Sequence, residues 1–229
     1  MEYPHNRPYT ADDLVRIITL LRDPVNGCPW DKVQTHTSIR MNFLEEAYEA
    51  VDALDLDDPV LMCEELGDVL MQVAFHTCME QETGRFTWEQ VCDGVCQKLI
   101  ERHPNIFGTQ PGYEGITDWD ALKNKEKGRH TLADDLESVP RAMPALMRAA
   151  KLQKRAARHG AALQGADAAA LADAAENLQT AQPASAQAEQ AVGELLFAAA
   201  NLARQAGVDP EQALQKANEA FCTAAGPVA

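Results

Sequence analysis

Two acidic pairs with the same spacing lie close together near the start of the chain. Glu46 and Glu49 are three residues apart in LEEAYEAVDALDL, and Glu65 and Asp68 are three residues apart in CEELGDVLMQ. Residues with this spacing share one face of an α-helix. Four converging carboxylates would repel one another, and burial would raise the cost. A divalent cation relieves that conflict, and oxygen donors without His or Cys favour Mg²⁺, with Mn²⁺ as a substitute. A solvated acidic face is the alternative, but the flanking residues are mostly apolar.

A small set of cations and one aromatic residue follow downstream. Lys98 and Arg102 are four residues apart in QKLIER, and Trp119 and Lys123 are four apart in DWDALK. Cations opposite a metal cluster suit a phosphate chain, because metal and Lys or Arg can neutralise it from two sides. Trp119 could stack on a base. Ordinary exposed charges and a packing tryptophan are the alternatives.

Helical periodicity runs through most of the chain and no β pattern is present, so we predict an all-α fold. Helices are expected from about Ser38 to Leu56 and from about Pro59 to Glu82, with DLDDP turning between them. This connection makes the two helices antiparallel neighbours, so the two acidic pairs can converge. Thr10 is a plausible N-cap for TADDLVRIITLLRD, TWEQVCDGVCQKLIERH reads as a third long helix, and TDWDALKNKEKGR reads as a short polar one.

The loop DPVNGCPWDKVQTH precedes the first acidic helix. Its Pro, Gly and Asn residues break helical periodicity. Trp30, Asp31 or Gln34 could frame a base pocket; a loop held only by local packing is an equal alternative.

The chain also repeats itself. EELGDVLMQVAFH is similar to QAVGELLFAAANLA, with Gly67 opposite Gly193 and Asp68 opposite Glu194. This similarity predicts two copies of one helical unit, over residues 1–131 and 143–229, with a proline-containing linker over 132–142.

Composition narrows the class of protein further. The net charge of −15 over 229 residues makes nonspecific nucleic-acid binding improbable. The six cysteines form no C-x-x-C pair, and no apolar run is long enough for a membrane span. The segment MEYPHNRPYT has no apolar core, so we do not expect it to act as a signal peptide. We therefore expect a soluble, cytoplasmic protein with no nucleic-acid or membrane partner. Segments such as VLMQVAFHTCM are apolar on nearly all sides, which favours a homodimer.

The acidic motifs resemble those of the MazG nucleoside triphosphate pyrophosphohydrolases. E-E-x-x-E and E-x-x-D occur here with LRDPVNGCPWDKVQTH, RHPNIFG and RAMPALMRAAKLQKRA, as in the long, two-repeat form of that family. The resemblance implies an all-α fold, Mg²⁺ dependence and homodimers. It also implies cleavage of nucleoside triphosphates to monophosphate and pyrophosphate, as in house-cleaning of the nucleotide pool.

The resemblance also implies roles for individual residues. The metal ligands would be Glu46, Glu49, Glu65 and Asp68, and the phosphate and base contacts would be Lys98, Arg102, Trp119 and Lys123. Glu45 or Glu49 would accept a proton from the attacking water. The sequence does not choose between these two, nor does it reveal the preferred nucleotide.

The second repeat departs from the family pattern. Asp173, Glu176 and Glu194 stand at Glu46, Glu49 and Asp68, but Ala191 stands at Glu65. Alanines 172, 220 and 224 stand at Glu45, Lys98 and Arg102. Two-repeat members are thought to work through the second repeat, whereas here we expect turnover in the first. A nonhydrolysing nucleotide-binding or interaction protein, or an acidic scaffold without a ligand, remains the alternative.

Overall fold

The computed structural model describes residues 3–5, 7–104, 106–108, 124 and 126–226. Over this part of the chain every regular element is a helix and none is a strand, which confirms the all-α prediction. The chain divides into two compact units, Met1–Ile116 and Thr117–Ala229. Within the described residues, no helix is both long and apolar enough to cross a membrane.

The first unit contains four long helices. They are α1 (Ala11–Leu21), α2 (Arg40–Leu56), α3 (Pro59–Glu82) and α4 (Trp88–Arg102). A short 3₁₀ turn at Asp31–Val33 lies in the loop before α2. The bounds of α2 and α3 agree with the predicted bounds to within two residues at each end.

Local capping explains where these helices begin. Thr10, predicted as an N-cap, forms a capping box with Asp13 at the start of α1. The Asp58 side chain accepts hydrogen bonds from the Val60 and Leu61 amides at the start of α3, and Pro59 occupies the first helical position. Only Asp57 and Asp58 separate α2 from α3, and Asp57 is left-handed with φ of 53°. Such a short turn sets α2 and α3 side by side.

The core of the first unit surrounds the C-terminal half of α3, which contacts α1, α2 and α4. Its buried members are Ile18, Ile39, Ala74, Phe75, Cys78, Met79 and Trp88. The N-terminal half of α3 is different, because Leu66 and Leu70 remain exposed there. The predicted acidic pair of α3 therefore lies at the accessible end of a helix whose other end is held in the core.

The second unit repeats the arrangement of the first. Its helices are α5 (Leu132–Glu137), α6 (Ala145–Arg158), α7 (Ala168–Thr180), α8 (Ala186–Gln205) and α9 (Pro210–Ala225). Helix α8 contacts α6, α7 and α9, as α3 contacts α1, α2 and α4. The shared order and shared contacts agree with two copies of one helical unit.

The predicted linker over 132–142 needs correction. Thr131 and Asp134 form a capping box that starts α5 within this segment. The Asp135 carboxylate is almost fully buried and lies 2.9 Å from Arg155 Nη1 and 3.2 Å from His159 Nε2. A buried charge is costly to leave unpaired, so these contacts hold α5 against α6. The segment belongs to the second unit, and the boundary of that unit precedes 131. The short helix expected over 117–129 lies mostly outside the described residues.

Candidate active site

Three carboxylates converge where α2 and α3 lie side by side. Single oxygens of Glu46, Glu49 and Glu65 all lie within 4.8 Å of one another. Glu46 and Glu49 share a face of α2, and the short turn after α2 brings Glu65 of α3 opposite them. In the described part of the chain, no other group of three or more His, Cys, Asp or Glu side chains is this close. The structure therefore brings together three of the four residues predicted as metal ligands.

The electrostatics of this cluster are those of crowded carboxylates. Partial burial raises the pKa of Glu46, and the charges of Asp68, Glu49 and Glu45 raise it further. Partial burial also raises the pKa of Glu65, and the charges of Glu49 and Asp68 are the next causes. Asp68 is outside the group of three closest oxygens, yet its charge acts on both residues.

Gln72 is a site residue that the sequence reasoning missed. Its Nε2 donates a hydrogen bond of 3.3 Å to Glu46 Oε1, which lowers the pKa of Glu46 and partly offsets the crowding. The side chain is buried, and its Oε1 has no hydrogen-bond partner in the described structure. The available signal was position, since Gln72 follows Asp68 by four residues and shares its helix face.

The donors present fit a hard divalent cation. All three clustered groups are carboxylates, and the orphaned Gln72 oxygen beside Glu46 adds a neutral acceptor. Oxygen ligands of this kind suit Mg²⁺ or Mn²⁺ better than zinc. The raised pKa values have the same origin as cation affinity, because a positive charge at this position would relieve the repulsion.

The other predicted site residues are distributed as follows. Glu45 is exposed on α2, next in sequence to the cluster. Lys98 is exposed and Arg102 half-buried on α4, the helix that follows and contacts α3. Trp119 and Lys123 lie outside the described residues.

The loop before α2 is tied to the core by one buried arginine. Arg22 donates bidentate hydrogen bonds of 2.5 and 2.8 Å to the Glu82 carboxylate. Its Nη1 donates to the backbone oxygens of Asp31, at 2.8 Å, and Gln34, at 3.2 Å. One side chain thus holds two points of the loop to the end of α3. Trp30, the aromatic candidate of this loop, remains 56% exposed.

A second anchor holds the end of the same loop. His36 lies with one ring nitrogen 2.5 Å from Glu80 Oε1 and the other 2.7 Å from His76 Nδ1. The buried Glu80 also accepts a 2.7 Å hydrogen bond from Arg85 Nη2. His76 is half-buried, and this burial, together with the proximity of His36, lowers the pKa of His76. The loop is therefore held at Asp31, Gln34 and His36, and the exposed Trp30 directly precedes the first of these positions.

The equivalent positions of the second unit form a different surface. Asp173 and Glu194 line a groove of about 610 Å³ between α7 and α8, and Glu176 is exposed on α7. Ala191, which stands where the first unit has Glu65, is 2% exposed. Gln190 Nε2 donates a 2.8 Å hydrogen bond to Glu194 Oε1. A methyl group thus replaces the carboxylate that would complete the cluster.

Comparison with known proteins agrees with the motifs and the fold. Residues 34–107 match the MazG nucleotide pyrophosphohydrolase domain, a segment that begins in the anchored loop and extends past α4. The nucleoside triphosphate pyrophosphohydrolase of Escherichia coli K12 is 41% identical over 219 residues, covering 92% of this chain and 83% of that protein.

Two further relatives are similar to this chain. A Thermotoga maritima protein named nucleoside triphosphate pyrophosphohydrolase/pyrophosphatase MazG is 39% identical over 212 residues, covering 92% of this chain and 82% of that protein. The Mycobacterium tuberculosis nucleoside triphosphate pyrophosphohydrolase is 34% identical over 154 residues, covering 66% of this chain and 46% of that protein.

The helical pair α2–α3, its acidic cluster and the matched domain define an all-α nucleotide pyrophosphohydrolase class. The chain belongs to the MazG family of that class, as the identity over nearly its whole length shows. The resemblance noted from the acidic motifs is therefore confirmed.

Proposed function

We propose that this protein hydrolyses nucleoside triphosphates, ribo or deoxy, to the monophosphate and pyrophosphate with Mg²⁺, for which Mn²⁺ can substitute. The observation that carries the proposal is the convergence of Glu46, Glu49 and Glu65 within 4.8 Å. The names of the E. coli and T. maritima relatives support the substrate class and the reaction. A role in clearing unwanted nucleotides from the cellular pool is the role expected of this family.

The metal would be held by Glu46, Glu49 and Glu65, with Asp68 as the fourth carboxylate. When bound, a divalent cation supplies charge neutralisation for the triphosphate and lowers the pKa of coordinated water. The chain's own contribution is to pre-arrange the oxygens. The α2–α3 turn fixes their separation, and Gln72 restrains one oxygen of Glu46 by hydrogen bonding.

A carboxylate beside the cluster is needed to take the proton of the attacking water. Glu49 belongs to the group of three close oxygens, whereas the neighbouring Glu45 does not. We therefore favour Glu45 as the general base. Water oxygen would form a bond to the α-phosphorus, the bond from that phosphorus to the bridging oxygen of the β-phosphate would break, and the water proton would pass to Glu45.

The remaining substrate contacts are assigned to α4, to the segment after it and to the anchored loop. Lys98 and Arg102 are four residues apart on α4, so they share a face that can run along a phosphate chain. Trp119 and Lys123 would add a stacking surface and a further cation. Trp30 would provide a second aromatic wall because its loop is fixed by Arg22 and His36.

Turnover is assigned to the first repeat. In the second unit Ala191 is buried where Glu65 would stand, and alanines 220 and 224 occupy the positions of the phosphate-binding cations. In this assignment the second repeat contributes packing and support of the assembly but no turnover.

A homodimer is the proposed assembly. Apolar side chains remain exposed along the first unit, among them Leu54 of α2, Leu66 and Leu70 of α3, and Leu99 of α4. Exposed apolar side chains on several helices of one unit favour an interaction face. A second copy is the proposed occupant, because family members assemble by pairing such bundles.

The decisive assay is pyrophosphate release from a nucleotide panel. We expect turnover in millimolar Mg²⁺, turnover with Mn²⁺, and none in EDTA, with kcat/KM across the panel identifying the preferred base and sugar. Binding of nucleotide with no pyrophosphate released in either metal would instead indicate a nonhydrolysing binding protein.

A further inference from the structure

Helix α6 carries an unusual concentration of positive charge for so acidic a protein. Its sequence ALMRAAKLQKRAAR contains Arg148, Lys151, Lys154, Arg155 and Arg158 and no acidic residue. The whole chain has only 20 Lys and Arg against 35 Asp and Glu. Such a helix in a chain of net charge −15 requires a physical explanation.

Part of this charge has an internal partner. The buried Arg155 guanidinium lies 2.9 Å from Asp135 Oδ1 and also donates a hydrogen bond to the Asp135 backbone oxygen. Arg158 lies 3.8 Å from the same carboxylate. These two arginines stabilise the packing of α5 on α6. The explanation does not extend to Lys151 and Lys154, for which the described contacts include no ion pair with Asp135.

Lys151 and Lys154 instead line a groove inside the second unit. The groove has a volume of about 620 Å³ and is bounded by α6 on one side and by the α8–α9 junction on the other. Met147, Lys151 and Lys154 follow one face of α6, and Arg204 of α8 faces the same space. Neither lysine forms an ion pair with any residue in the described part of the chain.

Arg204 is pre-oriented toward this groove. Its Nε donates a 2.9 Å hydrogen bond to Asn201 Oδ1, and Asn201, only 2% exposed, is itself fixed by a 2.6 Å bond from its Nδ2 to the Ala166 oxygen. The described contacts engage only Nε, so the two terminal nitrogens of the guanidinium remain able to donate.

The acidic groups nearest the groove are already engaged. Asp209 Oδ1 accepts hydrogen bonds from the amides of Glu211 and Gln212 and so caps α9. Glu211 Oε2 accepts a 3.3 Å hydrogen bond from the Met147 amide in the first turn of α6. Both carboxylates serve helix N-termini, where negative charge is favourable. Glu211 holds α6 against α9, and Asp209 lines the groove with its charge directed to the α9 amides. The three cations of the lining, Lys151, Lys154 and Arg204, therefore outnumber its one carboxylate.

We propose that this groove is a binding site for a polyphosphate chain, separate from the acidic site of the first unit. Three cations and one carboxylate line the groove, which leaves an excess of positive charge for a di- or triphosphate, and the volume falls in the range of small-ligand sites. Met143, Met147 and Val208 add apolar wall that can contact a nucleoside. The ligand is free polyphosphate or a nucleotide that carries one, and the two are separated by experiment.

The test uses the full-length protein in EDTA. Without metal, the crowded carboxylates of Glu46, Glu49 and Glu65 repel polyanions, so binding at the first unit is suppressed. Sodium tripolyphosphate is titrated by calorimetry, and spectra of methyl-labelled methionine follow Met143 and Met147. We expect saturable binding, with the methyl signals of these two residues shifting among the seven methionines.

Two matched double variants make the test specific. Lys151→Gln/Lys154→Gln should weaken tripolyphosphate binding by about tenfold or more, which corresponds to about 1.4 kcal/mol. Lys127→Gln/Lys216→Gln removes the same charge from exposed positions outside the groove and should bind as the wild type does. Thermal melts verify that all forms are folded, and the methionine shifts of the wild type give a readout that needs no variant.

Comparison with ATP distinguishes free polyphosphate from a nucleotide as the ligand. Equal affinity for tripolyphosphate and ATP identifies the phosphate chain alone as the recognised group, and tighter ATP binding adds the nucleoside. The proposal is overturned if the two double variants lose affinity equally, or if Met143 and Met147 do not respond to saturating tripolyphosphate. Neither result depends on whether the first unit hydrolyses nucleotides.

Discussion

Crowding among carboxylates is the main feature of the site at the level of single residues. Burial and neighbouring negative charge raise the pKa of both Glu46 and Glu65. The protein keeps these groups together although the arrangement opposes folding at neutral pH. This cost suggests a functional role, because replacement of these carboxylates by apolar or amide side chains would make the folded protein more stable.

Loss of one carboxylate proposed to bind the metal should abolish most activity. Glu49→Gln and Asp68→Asn preserve side-chain shape but remove a charge from the site. We expect kcat for pyrophosphate release to fall about a hundredfold or more. Glu194→Gln is the matched change in the second repeat, where Ala191 has already removed a partner, and should leave kcat within about twofold. If Glu194→Gln abolishes turnover and Asp68→Asn does not, the second repeat is the active one.

Mg²⁺ should stabilise the folded protein through the same residues. The ion binds the folded state and relieves repulsion there, so the melting temperature should be higher in Mg²⁺ than in EDTA. Glu46→Gln should raise the melting temperature of the metal-free protein and reduce the Mg²⁺ shift. Glu176→Gln, an exposed change on α7, is the control and should do neither. Identical melts of the wild type in Mg²⁺ and EDTA would remove the case for a metal site.

The raised pKa values of Glu46 and Glu65 predict how the stability of the metal-free protein changes with pH. Since the folded-state pKa of Glu46 and Glu65 is raised, the folded protein holds these protons more tightly than the unfolded chain. The resulting stability is present below the unfolded pKa and is lost as pH rises through the raised pKa. Relative to Glu46→Gln, the metal-free wild type should therefore be less stable at about pH 7.5 than at about pH 5. A difference that does not change with pH would contradict the raised pKa.

At the scale of elements, the site depends on a helical pair and on an anchored loop. The turn at Asp57 and Asp58 sets α2 beside α3, while Arg22, His36 and Glu80 hold the loop before α2. Loops usually tolerate change better than helices do. This one is tied to buried charged side chains directly after Trp30, which suits the role proposed for that residue.

Replacement of Arg22 should loosen that loop. Lysine cannot hold a carboxylate bidentately and also donate to two carbonyls, so Arg22→Lys leaves acceptors of Glu82, Asp31 and Gln34 unpaired. We expect the free energy of unfolding in urea to fall by about 1–3 kcal/mol. Hydrogen exchange across the loop should accelerate, and KM for nucleotide should rise more than kcat falls.

Arg16→Lys serves as the control for this change. It is the same substitution at an exposed position of α1, the helix that ends one residue before Arg22, and it should change the free energy of unfolding by less than about 0.5 kcal/mol. If Arg22→Lys and Arg16→Lys have the same kcat and KM, the loop contributes only to packing.

At the scale of the whole molecule, one helical arrangement occurs twice with different surfaces. Both units place a long central helix against three others. The first unit carries the carboxylate cluster on that scaffold, and the second carries the basic groove between α6 and α9. Divergence of the two copies thus concerns side chains rather than architecture.

The exposed apolar face of the first unit should be covered in solution. We expect light scattering at micromolar concentration to give twice the chain mass of 25.0 kDa. Leu54→Lys places a charge on this face and should shift the mass toward the monomer, while Val25→Lys, in an 81% exposed loop position, should not. A wild-type protein that scatters only as a monomer would refute the homodimer.

The sequence by itself determined the helices and the chemistry of the acidic residues. Periodicity and caps are local, so Thr10 and the bounds of α2 and α3 could be predicted from neighbours in the chain. The i, i+3 spacing of Glu46 with Glu49, joined by a short turn to α3, likewise limited where these groups could lie. The loss of Glu65's equivalent at Ala191 was visible in the repeat alone.

Only the tertiary structure decided which distant groups meet. The segment over 132–142 contains prolines, so the sequence predicts a linker. In the structure Asp135 pairs with Arg155, twenty residues further along, and this contact holds the segment to the second unit. Nothing in the sequence singled out Gln72, because its contact with Glu46 depends on the packing of α3 against α2. The basic groove depends on the packing of α6 against the α8–α9 junction, which places Arg204 of α8 on the same groove as Lys151 and Lys154. Such pairings depend on packing between elements, which local sequence patterns do not specify.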